Sequence, residues 1–502
     1  MSLSVAYNII NSAFLSTAAQ SAVISSNIAN ASTPGYSREI ANVLTNSYGG
    51  SDVASVTREA SRALLEQVNA STSQAASEQA LATGLATLAQ TVSDSASSAS
   101  ASGSTQNGDS PSAMLANLQS ALTTYEASPS DASAAQAVVT AASNLTASLN
   151  SGAATVQQVR EQADSDMASS VSTVNSLLNQ FSQVDATIVS GLATGANVSG
   201  AEDTRDSILT QLSQQIGIST TANANGSTSI YTDSGVTLYQ NGLASTLSFT
   251  PTPTLTAGAS GAAVTVDGVP ITGASAPMAI QSGALAGLAN LRDTVAPQYQ
   301  AQLDQIAGGL VNAFAETDQS TTAPGLPPLP GLFTYPGATG LPATTAMTGL
   351  ANVIEVNANV DPSQGGNLDL LRDGGISDPG NPAYTYNASG SASYTGRIQQ
   401  MIGAITATQP FDPSAGLGSS DNLGDYSNAS VSWLQGQNQQ ASNQVDYQNS
   451  LVAQATAALS NATGVNLDTE MTNMLNIENS YTTTAKLLTT VNDMFTALIN
   501  AT

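Results

Sequence analysis

Few side chains of this 502-residue chain could do chemistry, because the sequence contains no His and no Cys. It can therefore form no Ser-His-Asp triad, thiol nucleophile, zinc-thiolate or iron–sulfur site, or disulfide. Paired carboxylates are the acid–base device that remains. Glu202, Asp203 and Asp206 are close together, but Arg205 lies among them at an expected helix start, where acids are favourable in any case.

We therefore expect no catalytic residue among these acids. The enzyme alternative that remains is a glycosidase, in which two carboxylates would converge. No segment follows the D-x-[DN]-x-[DN]-G pattern with a closing Glu that a calcium loop requires. The segment 223–226, Asn-Ala-Asn-Gly, is typical of a turn. We expect no metal site and no cofactor.

The charge balance limits the partners of the chain. Nine basic residues against 35 acidic ones give a formal net charge of -26. Binding to nucleic acid or to anionic membranes is therefore not expected. The sequence has no run of 18 apolar residues, and its first residues lack the positive segment of a secretory signal, so we expect neither a membrane span nor a cleaved signal peptide.

The two ends of the chain carry the clearest helical periodicity. Spacings of four and three residues alternate along Leu3, Tyr7, Ile10, Phe14, Thr17, Ser21, Ile24 and Ile28. The same spacing relates Leu467, Met471, Met474, Glu478, Tyr481, Ala485, Leu488, Asn492, Phe495 and Ile499, after a helix-capping Asn466. Such stripes at both ends predict helices that pair with each other or with further copies of the chain.

The interior is expected to be helical from about 50 to 216, apart from a polar solvent loop from Ser93 to Ser112. From about 218, Asn225-Gly226, Ser234-Gly235, Asn241-Gly242 and Asp267-Gly268 predict hairpin turns. Helix returns from about 284 to 317, and a Pro/Gly/Thr-rich stretch follows.

The predicted fold is mainly α with a β-rich inserted domain, in a nested architecture whose N- and C-terminal helices pair in a helical bundle. The expected parts are a terminal polymerisation domain (1–45 with 463–502), a helical inner layer (46–217 with 400–462), a β-rich outer part (218–283), a helix packed on the inner layer (284–318) and an irregular outer insertion (319–399).

Two terminal segments carry a family resemblance. The segment 26–38, Ser-Asn-Ile-Ala-Asn-Ala-Ser-Thr-Pro-Gly-Tyr-Ser-Arg, closely resembles the N-terminal signature of the flagellar rod, hook and hook-associated proteins. The segment 465–471, continuing through Tyr481 to Leu498, resembles their shared C-terminal helix. Within the family, 203–209 and 310–314 look like helices of the hook-associated members.

The resemblance implies a structural subunit at the hook–filament junction of the bacterial flagellum, extracellular and exported unfolded by the flagellar type III apparatus without a cleaved signal peptide. The implied partners are further copies of the chain, the hook protein, a second hook-associated protein and an export chaperone. The rivals are a hook or rod subunit, whose middle would be mostly β, and a secreted coiled-coil adhesin, which would need a cleaved signal or an anchor.

Two sets of residues are expected to carry assembly. The predicted polymerisation interface consists of Leu3, Tyr7, Ile10, Phe14, Ile24, Ile28, Met471, Met474, Tyr481, Leu488, Phe495 and Ile499. The family turn motif consists of Asn27, Asn30, Thr33, Pro34, Gly35, Tyr36 and Arg38. Pro-Gly ordinarily ends a helix and starts a loop; together with the C-terminal helix, we interpret this turn as leading to the next layer, with Tyr36 and Arg38 making contacts between layers or subunits.

Overall fold

The computed structural model of this chain describes residues 3–47, 49–93, 110–320, 325–342 and 347–501. Its α-helices are α1 Leu3–Asn30, α2 Arg62–Ala89, α3 Pro111–Ala127, α4 Ala132–Thr194, α5 Ser199–Gln215, α6 Ala284–Asn290, α7 Ala296–Ala313, α8 Leu370–Asp373, α9 Gly396–Thr406, α10 Leu423–Thr463 and α11 Leu467–Ala501. A π-helical segment, Leu291–Val295, joins α6 to α7.

The strands are short and pair only in antiparallel fashion in the described parts of the chain. They are β1 Glu39–Thr45, β2 Ser51–Arg58, β3 Ile218–Ala222, β4 Thr228–Thr232, β5 Thr237–Gln240, β6 Leu243–Ala244, β7 Leu247–Ser248, β8 Thr265–Val266, β9 Val269–Pro270, β10 Phe333–Thr334, β11 Glu355–Val356, β12 Gln409–Pro410 and β13 Ser420–Asp421.

Helix α4 is the central element of the core. The side chain of Asp131 caps its first turn by accepting a hydrogen bond from the Ser133 amide, and Gly195 ends it in a left-handed conformation with φ 74°. Its apolar face is buried along its whole length, from Val138 to Ile188, and packs against α3, α5 and α7. Side chains of α2, α6, α9 and α10, of the small sheets and of the stretch 332–376 also belong to the described core.

Two small sheets occupy the middle of the chain, with strand orders β3-β4-β5-β6 and β7-β8-β9. The glycines of the four predicted hairpin turns all have positive φ, between 82° and 94°. A side chain would make that backbone conformation unfavourable, so the Gly after Asn, Ser or Asp places each reversal. The hairpin predictions are confirmed.

The helical inner layer predicted from residue 46 is wrong at its start. Residues 39–45 and 51–58 form the two strands of the hairpin β1–β2, in which Ile40, Val43 and Val56 belong to β-branched alternating segments. Helix α3 begins at Pro111 with Ser110 as its cap, so the predicted solvent loop ends earlier than Ser112. Residues 94–109 of that loop lie outside the described part of the chain.

Helices α1 and α11 pack against each other at the two ends of the chain. Ile10, Ile24 and Val491 are their buried apolar side chains. The predicted fold class, with mainly α structure, a β-rich insertion and paired terminal helices, is confirmed. The division into five parts stays a prediction. No described helix is long and apolar enough to cross a membrane.

Candidate functional site: the terminal helix pair and its polar joint

The terminal helices run antiparallel. Phe14 meets Tyr481 edge to face with ring centroids 5.1 Å apart. One end of the pair brings the Ser21 hydroxyl to 3.6 Å from the Met474 sulfur, to which it donates. Residue numbers rise along α1 as they fall along α11, so the beginning of α1 lies beside the later part of α11.

The predicted interface residues divide into two groups. Ile10 and Ile24 are buried, and Leu3, Phe14, Ile28, Met474, Leu488 and Phe495 are half-buried. Tyr7, Met471, Tyr481 and Ile499 are exposed. One part of each stripe therefore closes the helix pair and another part faces outward, and the role of these residues in polymerisation stays a prediction.

The turn motif reverses the chain between α1 and β1. The Thr33 amide donates to the Asn30 carbonyl at 2.9 Å, and the Tyr36 amide donates to the Thr33 carbonyl at 3.2 Å. Gly35 has φ 80°, while Pro34 and Thr33 are exposed. The turn is thus fixed mainly by its own backbone.

The side chain of Asn27 holds this turn against Glu39, the first residue of β1. Its buried side-chain amide donates to the Glu39 carbonyl at 2.9 Å, and its carbonyl oxygen accepts from the Glu39 amide and the Tyr36 hydroxyl, both at 2.9 Å. A buried amide satisfied in this way holds one backbone arrangement, because any other leaves polar groups without partners.

Arg38 connects the two ends of the chain. Its Nε donates to Glu470 of α11 at 2.6 Å, its Nη1 donates to Glu59 at 3.2 Å, and its amide donates to the Thr463 carbonyl at 2.8 Å. Glu470 is 1% exposed, so its carboxylate depends on Arg38 and Asn27 for compensation. The hydrogen bond to Glu470 raises the pKa of Arg38 further.

Sequence reasoning missed Glu470 as a site residue. Asp468 and Glu470 are both explained by the positive end of the helix dipole, and the structure separates them: Asp468 is exposed, and Glu470 is buried against the turn motif. Met471 and Met474, which follow Glu470 in the sequence, belong to the apolar stripe. The pattern therefore gave no indication that the side chain of Glu470 is buried.

Arg58 attaches the hairpin to the helical layer. It forms ion pairs with Glu202 at 3.0 Å, Asp203 at 2.8 Å and Asp206 at 2.6 Å, at the start of α5. The Ser37 amide also donates to Asp203. Burial raises the pKa of the Asp206 carboxyl in spite of the opposing effect of Arg58. These acids, the strongest candidates for acid–base chemistry, are thus engaged in a structural joint.

We call the contacts of Asn27, Arg38, Arg58, Glu470 and the α5 acids the polar joint. It ties the helix pair, the β1–β2 hairpin and the inner helices together at one point. Helix α1 also packs against the β1–β2 hairpin, so the joint and the hairpin together fix the direction of the terminal helix pair.

Three family models match this chain. The model of the flagellar hook-associated protein FlgK helical domain matches residues 104–323, the flagellar basal body rod FlgEFG protein C-terminal model matches 458–501, and the flagella basal body rod protein model matches 12–36. No curated protein matches. The two terminal matches are to flagellar axial proteins, and the central match is to the helical domain of a hook-associated member of that class. Together the three matches support a FlgK-type flagellar hook-associated protein.

Among solved structures, the chain is similar to the flagellar hook junction protein FlgK from Burkholderia pseudomallei. The two are 24% identical, and the TM-score is 0.41. The alignment covers 54% of this chain and 46% of that one.

Proposed function

We propose that this chain is a non-enzymatic structural subunit that polymerises at the hook–filament junction and connects hook to filament. The observation that carries the proposal is the terminal helix pair: it leaves the core through a polar joint and still presents large apolar side chains, such as Leu15, Met471 and Leu487, to solvent. Helices with such faces are stabilised when neighbouring copies bury them.

In this proposal the terminal helices of successive copies bundle into an inner tube, and the polar joint sets the angle of the helical layer to that tube. The β-rich part faces outward. The hook protein occupies the proximal face and a second hook-associated protein the distal one, because open-ended axial packing stops only where a different partner binds. Export proceeds without a cleaved signal peptide, and an export chaperone holds the C-terminal helix beforehand.

The rival axial proteins, hook and rod subunits, are expected to have a mostly β middle. The 63-residue helix α4 and the α6–α7 region favour a hook-associated subunit instead. The adhesin alternative requires an anchor or a cleaved signal in addition to the helices described.

Immunogold labelling of intact flagella tests the proposal. A narrow band of label at the boundary between hook and filament is expected. Label along the whole hook would favour the rival axial subunit, and label on the cell surface would favour an adhesin. Deletion of the coding sequence is expected to leave hooks without filaments, and re-expression of the full chain is expected to restore them.

A further inference from the structure

Three turns of the β-rich part carry Asn or Asp directly before Gly: Asn225-Gly226, Asn241-Gly242 and Asp267-Gly268. Asn is a thermolabile residue, and a following Gly favours its cyclisation because no side chain hinders the Gly amide nitrogen. That nitrogen attacks Cγ of the Asn side chain, the Cγ–Nδ2 bond breaks, and ammonia leaves. Closure of the ring takes the Asn backbone out of the turn conformation, so the stability of each turn decides how fast it reacts.

Asn241 lies in a weakly held turn. Asn241 and Gly242 are exposed and form the two-residue loop of the hairpin β5–β6, with φ 53° and 82°. Strand β6 has only two residues and lies at the edge of its sheet. Within the described part of the chain, neither the Asn241 side chain nor the Gly242 amide has a hydrogen-bond partner. Few contacts must break for this turn to open, so it opens readily.

Asn225 has the same following residue but is held on several sides. Its Oδ1 accepts a hydrogen bond from the Ser227 amide at 3.2 Å. The attacking group, the Gly226 amide, donates to the Asn223 carbonyl at 3.1 Å, and the Gly226 carbonyl accepts from Arg205 at 3.2 Å. The turn also joins the five-residue strands β3 and β4. Opening this turn would break all of these contacts.

Asp267 lies in a turn as exposed as that of Asn241, with φ 47°. Its Oδ1 accepts a hydrogen bond from the Thr246 amide at 3.0 Å, and this bond lowers the pKa of the Asp267 carboxyl. The group therefore stays ionised near neutral pH, and a carboxylate is a poor target for a nucleophilic amide. The three turns thus differ in reactivity for reasons that the structure supplies.

We propose that Asn241 is a site of spontaneous deamidation in the folded chain and that the fold protects Asn225. After ammonia has left, water adds to one of the two carbonyl carbons of the ring, and the bond from that carbon to the Gly242 nitrogen breaks. The product is either Asp or an isoaspartyl linkage whose Cβ lies in the main chain. Either product adds one carboxylate and takes the formal charge from -26 to -27.

The isoaspartyl product has a structural consequence. It lengthens the main chain inside a two-residue loop, so the pairing of Gln240 with Leu243 is lost and the edge strand β6 separates from β5. Tyr239 keeps its place, because its ring packs edge to face on Phe181 at 4.9 Å in the core. The modification therefore changes the surface of the β-rich part and leaves the helical layer intact. This inference is independent of the proposed role in assembly.

Peptide mapping by mass spectrometry tests the proposal on the purified full chain, incubated folded at neutral and at mildly alkaline pH. Deamidated peptide is expected to accumulate at Asn241 and not at Asn225, and faster at the higher pH, because the attacking amide must lose its proton. In urea both sites should react at comparable rates, since unfolding removes the contacts that protect Asn225. The map reports Asn107-Gly108, which lies outside the described residues, as a separate peptide.

Two variants complete the test. Asn241→Gln should lose the modification at this position, because the longer side chain forms its ring less readily. Asn225→Gln is the matched control and should leave the rate at Asn241 unchanged, with circular dichroism confirming that both variants fold. Equal accumulation at both sites in the folded chain, faster reaction at Asn225, or no reaction at Asn241 while the chain in urea reacts would overturn the proposal.

Discussion

At the scale of single residues, the polar joint depends on a buried acid held by distant partners. Glu470 lies 432 residues from Arg38 along the chain, and their contact is 2.6 Å long. A buried carboxylate without its cation is costly, because desolvation is no longer compensated. The joint therefore forms only when the segments that carry Arg38 and Glu470 have both folded into place.

Glu470→Gln tests this dependence. The amide keeps the shape but loses a charge-assisted bond, so the joint should weaken by about 1–3 kcal/mol. Hydrogen exchange is expected to accelerate at the Arg38 amide, which donates to Thr463, while amides of α4 stay unchanged. Glu66→Gln is the control, since Glu66 forms a half-exposed pair with Arg62 and should change exchange little. Equal effects of the two changes would contradict the role of Glu470.

Gly35→Val tests the turn motif. Gly35 has φ 80°, and an added Cβ would meet no atom within 4 Å, so the substitution should cost about 1–2 kcal/mol through the backbone alone. We expect it, like Pro34→Ala, to impair assembly more than folding of the middle of the chain, as measured by incorporation into flagella and by circular dichroism.

Gly195→Val is matched to Gly35→Val, because Gly195 has φ 74° and equally open surroundings at the end of α4. It should cost similar stability while leaving incorporation normal. Normal incorporation of the Gly35 variant would remove the turn from the assembly mechanism.

At the scale of elements, the terminal helices and the core differ in how they are held. Helix α4 is buried along a full face, whereas α11 buries only Glu470 and Val491 among its described side chains. Local opening is easiest where few apolar contacts must be broken. The pair should thus be the least stable part of the free subunit.

Hydrogen exchange on a dilute monomer checks this expectation. The amides of α1 and α11 far from the joint should exchange rapidly, and those of α4 slowly. Protection should rise toward Asn27 and Glu470, where the joint anchors the pair. Strong protection along the whole of α11 at low concentration would mean that the pair is stable without neighbours.

The contact between α2 and the π-helical segment offers a packing test. A Cβ on Gly84 would collide with the buried Leu291 side chain, so Gly84→Ala should destabilise the core by about 1–3 kcal/mol. Gly436→Ala in α10 meets no atom and should instead stabilise by about 0.5–1 kcal/mol. Thermal unfolding measures both, and stabilisation by Gly84→Ala would show that Leu291 can move aside.

The sequence predicts elements whose cause is local and misses those whose cause is distant. Asn-Gly and Asp-Gly turns, the Asn466 cap and the terminal stripes rest on neighbouring residues, and the structure contains them. The ion pairs of Arg58 join residues 144 or more positions apart, so spacing alone cannot reveal them.

At the scale of the whole molecule, a formal charge of -26 opposes association of identical copies. The polar joint absorbs several acids in ion pairs with Arg38 and Arg58. On α11, the exposed acids Asp468, Glu478 and Asp493 lie on one side of the helix, and the exposed Leu487 and Met494 lie on another. Assembly therefore brings together apolar surfaces against a background of repulsion between copies.

This balance predicts that salt promotes self-association. Raising NaCl from about 10 mM to about 100 mM shortens the Debye length from about 30 Å to about 10 Å and screens repulsion between copies. Sedimentation should show association several-fold tighter at the higher salt.

A double variant with Leu487→Ser and Met494→Ser should associate more weakly at both salt concentrations, because it removes apolar contact. Its association should still become tighter with salt, because the charge of the chain is unchanged. Weaker association of the native chain at higher salt would instead mean that attraction between opposite charges holds the copies together. Lys486, the basic residue of α11, would then be the first residue to test.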